Sequence, residues 1–327
     1  SLPALDSFSI EGSLLADHLT LDLSIPFPLP GGLFVADAVD GDGDLLEVVG
    51  PETCTWEVTG LNAGQVGNLT FSGMESLLGG VGNIDTFYIE EGGDLDGLVD
   101  GGPGGYDSLV LEGEVRGVVS YLATGPDSGS IDLDGLIHAY AGMEPIVDNG
   151  VADQLVFTAT YDSGNPSESE NHAIRLGTAP ADHLKVSSDN GRFEYHVFPR
   201  PVQSLTIQSG AGDDVFTIET GLQGPPLAIV LEGGEGADRI VAACAADFTL
   251  SDALLLVTGE TPIALDSFEQ AHLTGGPATT TADTNAFSGT VLYTNGIPTW
   301  IEQGPGSLEG GQVQGLADGA VAGAVQS

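Results

Sequence analysis

The chain has 327 residues and carries 48 acidic side chains against six basic ones, for a formal charge of −42. A chain this anionic repels the phosphates of nucleic acid and the anionic face of a membrane, which excludes both as partners. Its 41% hydrophobic content excludes a disordered acidic tail, since such tails lack the apolar surface needed to offset chain entropy.

Self-repulsion on this scale needs screening by salt or by bound divalent cations. Both conditions, and the presence of a single lysine, Lys185, point to an extracellular or cell-surface setting. No run of 18 apolar residues occurs, so no segment reads as a transmembrane helix. The start, SLPALDSFSI, has neither a basic nor an apolar signal region, so a secretion signal is expected outside this sequence. Cys54 and Cys244 show no metal-site spacing; a disulfide and two buried thiols both fit.

In chain order, residues 1–32 read as an N-terminal extended segment. Its alternating stretch LADHLTLDLSIPF suits a strand-exchange arm, and SIPFPLPGG is a proline-punctuated connection. Residues 33–301 form the expected body. One phrase recurs through the chain: an aspartate followed by alternating apolar residues, at Asp17, Asp44, Asp85, Asp107, Asp153, Asp182, Asp214 and Asp238. Spacings run from 22 residues (Asp85 to Asp107) to 46 (Asp107 to Asp153), the size of one or two coils. Alternation predicts short strands with one face inward, and 49 glycines supply the turns. Residues 75–80 and 250–257 are each expected to form a turn or two of helix. A polar loop, DSGNPSESEN, is inserted at 162–171, and residues 302–327 read as a flexible C-terminal tail.

A coil of about 25 residues cannot bury its own apolar face, so coils must stack. The expected fold is therefore all-β, a parallel β-helix or β-solenoid. Tandem β-sandwich modules are the alternative.

The stretch from Trp56 to Gly113, then AGMEPIVDNGVADQLVF, SLTIQSGAGDDVFTI and GGEGADRIVA, resembles modules of very large secreted bacterial surface proteins that carry haemolysin-type calcium-binding repeats. The resemblance implies a β-solenoid segment of an adhesin-like or structural surface protein, with calcium as its ion and no known catalytic residue. GGEGADRIVA fits the calcium nonapeptide template directly.

If glycine-aspartate corners stack in register about 4.8 Å apart, each like-charged pair costs about 3 kcal/mol at an effective dielectric near 20. Calcium would relieve this, with Asp238, Asp213, Asp214, Asp107 and Asp100 as candidate ligands. The alternative needs no metal: each aspartate accepts the backbone N–H two residues on. DGDGD at 40–44 begins like a calcium loop but lacks the glycine and glutamate that would complete it.

Catalysis is not expected. Asp213 and Asp214 could pair in a hydrolase, but no GHG or GxSxG motif accompanies them. The histidines lack metal spacing and read as surface or strand-end residues. The expected function is an extracellular structural or adhesin-like β-solenoid, a subunit or repeat segment of a cell-surface or fibre-forming assembly, associating end to end and addressing a cell-surface or glycan target. The alternative is a β-helix carbohydrate-binding protein or polysaccharide-degrading enzyme.

Overall fold

The computed structural model describes residues 6–24, 29–37, 43–50, 53–113, 115–160, 171–276 and 280–295. In chain order the strands are β1 (Phe8–Glu11), β2 (His18–Asp22), β3 (Leu33–Ala36), β4 (Leu45–Val49), β5 (Thr55–Gly60), β6 (Ala63–Val66), β7 (Leu69–Ser72), β8 (Ser76–Leu78), β9 (Thr86–Ile89), β10 (Leu98–Asp100), β11 (Ser108–Leu111), β12 (Val115–Ala123), β13 (Gly129–Leu133), β14 (Leu136–Ala141) and β15 (Ile146–Asp148). They continue as β16 (Val151–Ala159), β17 (Ala173–Ala179), β18 (His183–Ser188), β19 (His196–Pro199), β20 (Ser204–Gln208), β21 (Val215–Ile218), β22 (Ala228–Glu232), β23 (Arg239–Ala243), β24 (Phe248–Ser251), β25 (Leu254–Val257), β26 (Ile263–Asp266), β27 (Gln270–Gly275), β28 (Ala282–Ala286) and β29 (Thr290–Asn295).

The protein is all-β, with two long, mostly parallel sheets of 15 and 14 strands. The chain passes from one sheet to the other, so successive strands within a sheet come from successive passes. Each strand follows the period-2 pattern expected from its sequence; Val215–Ile218, for example, alternates half-buried and buried residues. In-register pairing then stacks like on like. Ile174, Phe216 and Ile240 form one buried column, and Phe157, Ile207 and Leu231 another in the opposite sheet. Inward residues of both sheets form a single core cluster from Leu33 to Phe287. Burying each large apolar side chain contributes about 1.5–3 kcal/mol. The sheets run unbroken past the points where separate sandwich modules would part.

The passes are not uniform. Four antiparallel meanders interrupt the parallel order: β5-β6-β7, β12-β13-β14, β17-β18-β19 and β24-β25-β26. They fall alternately in the larger and the smaller sheet. A meander adds three strands where a simple pass adds one, so alternation is what keeps the two sheets level. The order is a meander, four single strands, a meander in the other sheet, then two single strands. Residues 55–159 follow it once, and residues 173–286 follow it again.

Several expectations meet this arrangement directly. The two stretches expected to be helical turns are strands instead, β8 and β24–β25. Short apolar runs carry no helix-specific period, and sheet neighbours decide them. Within residues 1–32, β1 and β2 pair in parallel with β3 and β4 of the same chain. The insertion at 162–171 falls almost wholly outside the described residues, as does the tail at 302–327. No disulfide joins Cys54 to Cys244. Among the described residues, no helix is long and apolar enough to cross a membrane.

Candidate functional site: an aspartate ladder and an interior polar cluster

The recurring aspartates are placed one step before the strands they announce. Asp17, Asp44, Asp85, Asp107, Asp214 and Asp238 immediately precede β2, β4, β9, β11, β21 and β23. Asp153 instead lies within β16, and Asp182 in the turn before β18. The first backbone N–H ahead of a strand lies outside the regular ladder and needs an acceptor. The carboxylate from the next pass supplies it. Asp44 Oδ1 accepts the Asp17 N–H (2.6 Å), and Glu75 accepts that of Asp44 (2.7 Å). Asp85 accepts the Cys54 N–H (2.7 Å), and Asp107 that of Asp85 (2.6 Å). Further on, Asp214 accepts the His172 N–H (2.6 Å), Asp238 that of Asp214 (2.8 Å), and Glu269 that of Asp238 (2.8 Å).

Of the candidate ligands, Asp100 makes the expected local turn, taking the Gly102 N–H two residues on, whereas the ladder aspartates bond elsewhere. The partner is not two residues downstream but 22 to 42 residues upstream, on the neighbouring strand. Each bond is charge-assisted and contributes about 1.5–3 kcal/mol. The glycines make room for it. A Cβ on Gly233 would stand 2.7 Å from Asp238 Oδ2, and one on Gly101 2.9 Å from Asp107 Oδ2.

The corner that fits the calcium template stacks on its predecessor as closely as backbone allows. Ala211 and Glu235 form a parallel bridge, and Cβ atoms on Gly234 and Gly236 would each lie 1.8 Å from a carbonyl oxygen of the 210–212 segment. Asp213 accepts the Ala237 N–H at 2.9 Å, while Asp238 accepts the Asp214 N–H in the opposite direction. The two corners thus clamp each other.

The structure brings Asp213, Asp214 and Asp238 to this one corner. Asp107 and Asp100 lie together at another, where Asp100 bonds the Gly102 N–H at 2.8 Å. Asp107, Asp214 and Asp238 are buried. The outer oxygens of Asp214 and Asp238 are buried without a hydrogen-bond partner. Burial, reinforced by Asp85, Glu144 and Asp100, pushes Asp107 up to about 6. Burial and the charges of Asp214, Glu269 and Asp213 do the same for Asp238. Among the described residues, no group of three or more His, Cys, Asp or Glu is arranged to hold a metal ion. Asp213 is exposed, whereas Asp214 is fully buried.

Three histidines are interior rather than superficial. His138, His172 and His196 are all buried. Burial holds His138 below its usual range, against the pull of nearby Asp94, and His196 down to about 4. His196 sits in an aromatic nest, edge-on to Tyr121 and Phe157, with its Nε2 3.3 Å from the Tyr140 hydroxyl. Beside it lies a buried ion pair: Arg116 donates to Asp148 at 2.7 Å, and the Tyr121 hydroxyl donates to the other Asp148 oxygen at 2.7 Å. The Gly150 N–H adds a third bond. Sequence reasoning had no purchase on this cluster, because Arg116 and Asp148 are 32 residues apart and neither belongs to a motif. Comparison with family models, with curated proteins and with solved structures finds no match for this chain.

Proposed function

We propose that the chain is an extracellular β-solenoid that acts as a structural or adhesin-like rod, a subunit or repeat segment of a surface or fibre-forming assembly. The observation that carries this reading is the pair of long parallel sheets, in which the chain alternates between layers and each pass depends on the next for backbone hydrogen bonds. Such a stack has open ends. Among the described residues, the terminal strands are β1 and β2 at one end and β28 and β29 at the other. Their unpaired edges are templates for a second copy, which favours end-to-end association. Because β2 is already paired with β4, it would offer its outer edge rather than leave as an exchanged arm. The charge of −42 suits a saline or calcium-bearing medium.

Calcium enters as a stabiliser at the 213–238 corner, where Asp214 Oδ2 and Asp238 Oδ2 are the oxygens left over by the backbone clamps. Electron microscopy of purified protein tests the rod: slender particles joined end to end are expected, and compact isolated particles at every concentration would overturn it. Thermal melting with calcium and with chelator tests the ion separately. Calcium is expected to raise the melting temperature of the parent chain and not that of Asp238→Asn. No rise in the parent removes calcium and leaves the rod standing.

A further inference from the structure

Of the basic side chains, Arg116 and Arg175 bond carboxylates, at 2.7 Å to Asp148 and 2.6 Å to Asp189. Arg200 differs. It is half-buried where the chain leaves β19 for β20, and its guanidinium donates only to neutral acceptors: the Pro225 carbonyl (3.2 Å), the Leu222 carbonyl (2.9 Å) and the Thr261 hydroxyl (3.1 Å). Those bonds use three of its five donors. Burial without a neighbouring carboxylate holds its pKa below the ordinary guanidinium value. In a chain with 48 acids, a half-buried cation without an acidic partner among the described residues is an unmet electrostatic demand.

The complementary demand lies close by. Glu260, beside Thr261, takes the Gly221 N–H (3.1 Å) and the Gln223 amide (3.3 Å) on one oxygen, while its other oxygen is buried with no hydrogen-bond partner. No ion pair joins Glu260 to Arg200, which faces Thr261 instead. Each of the two groups lines a cavity. One, of about 470 Å³, has Arg200, His183, Asp182 and Thr178 in its wall. The other, of about 560 Å³, has Glu260, Thr261 and Gln203. Gln223 and Gly224 belong to both, so the cavities adjoin. Their sizes fall in the range of roughly 300–1,000 Å³ typical of small-molecule sites. The pairing of His183 with Pro199 brings His183 beside Arg200. Because its Nδ1–H donates to the Ala181 carbonyl at 2.9 Å, its Nε2 is left as an acceptor for a ligand hydroxyl.

We propose that this double cavity binds a polyhydroxylated carboxylate, the chemistry of a uronic-acid residue: Arg200 holds the carboxylate, and His183, Glu260, Gln203 and Gln223 hold the hydroxyls. The ligand supplies the anion that the guanidinium lacks, and its hydroxyls meet the polar wall of Gln203, Gln223 and Glu260. Pro225, Pro226 and Pro262 offer apolar edges to the sugar ring. At saline ionic strength the screening length is about 8 Å or less, so the distant charge of the rod does not oppose an anion held this closely. The proposal gives the surface rod a ligand, yet the two fail separately, because rod assembly is read by microscopy and this site by binding.

The test is calorimetric titration of the full chain with trigalacturonate, galactotriose, free galacturonate and inorganic sulfate. Trigalacturonate is expected to bind at least about tenfold more tightly than galactotriose. Arg200→Gln should lower trigalacturonate affinity by about the same factor, and Glu260→Gln should weaken both sugars. Free galacturonate binding as tightly as the trimer would place recognition on a single unit; a much weaker monomer would place it on a chain segment. Equal binding of the charged and neutral trimers, no binding of either, or sulfate competing as well as trigalacturonate would overturn the proposal. Since Arg200 also ties down residues 222–225, an Arg200→Gln chain with an altered melting curve is set aside, and the trimer comparison with Glu260→Gln decides.

Discussion

Residues 55–159 and 173–286 follow the same strand plan, and what they share differs sharply from what they do not. Both carry the aspartate ladder at matching places: Asp85 and Asp107 ahead of β9 and β11, Asp214 and Asp238 ahead of β21 and β23. Even the glycines correspond, since Gly102 and Gly234 both have φ of +92°. The charges do not correspond. The first region has one basic side chain, Arg116, and it is buried against Asp148. The second holds Arg175, Lys185, Arg192, Arg200 and Arg239. Its first meander carries Arg175 and Lys185 among Asp182, Asp189 and Glu194, whereas the second meander of the first region exposes Val115, Val118, Leu122, Leu136 and Ile137. Backbone clamps therefore set the frame, and the outer faces are free to diverge into separate surfaces.

The largest expected break lies in the feature the second region lacks. Asp148→Ala strands a buried guanidinium and a buried tyrosine hydroxyl, and should cost about 3–5 kcal/mol in urea unfolding. The double change Arg116→Met with Asp148→Leu should recover most of that loss, and failure to recover would mean that the pair also fixes local geometry. The matched glycines give a sharper contrast. Gly234→Ala and Gly102→Ala both force alanine into a left-handed conformation, at about 1–3 kcal/mol. Gly234 should suffer more, because its Cβ meets a carbonyl oxygen at 1.8 Å rather than 2.6 Å; equal midpoints would show that the corner relaxes.

Next in size is the pH response of the matched aspartates. Asp107 and Asp238 titrate near 6 when folded, above their unfolded value of 3.8. The native state therefore holds its protons more tightly, and the contribution is complete below the unfolded value and lost as pH rises through 6. Melting temperature at constant ionic strength should fall from pH 5 to pH 7, and Asp107→Asn with Asp238→Asn should flatten that fall while keeping an acceptor for each N–H. An unchanged slope would place the titration elsewhere. The smallest effect belongs to the surface: Arg175→Ala removes exposed contacts to Asp189 and Glu219 and should cost less than about 1 kcal/mol.

The strands after the aspartates were legible because alternation and a turn residue are both local signals. The ladder partner was not, since an aspartate shows its spacing in sequence but not which neighbour's N–H it covers. The meanders were hidden for a related reason: β5, β6 and β7 alternate just as parallel strands do, and direction of pairing leaves no mark on a period of two. Buried His196 and the Arg116–Asp148 pair escaped because each depends on strands brought together across tens of residues. Arg200 and Glu260 were likewise visible only as isolated charges.

The alternation of meanders between the sheets makes the molecule's length come in whole steps. Excising one meander would take three strands from one layer and none from the other, and uncover core that nothing else can reach. Splicing out an entire repeat, from residue 55 to residue 172, would take six strands from each layer and keep them matched. Growth or shortening of such a chain is thus tolerated only in complete units, much as a staircase that turns at every landing is extended by the flight and not by the tread.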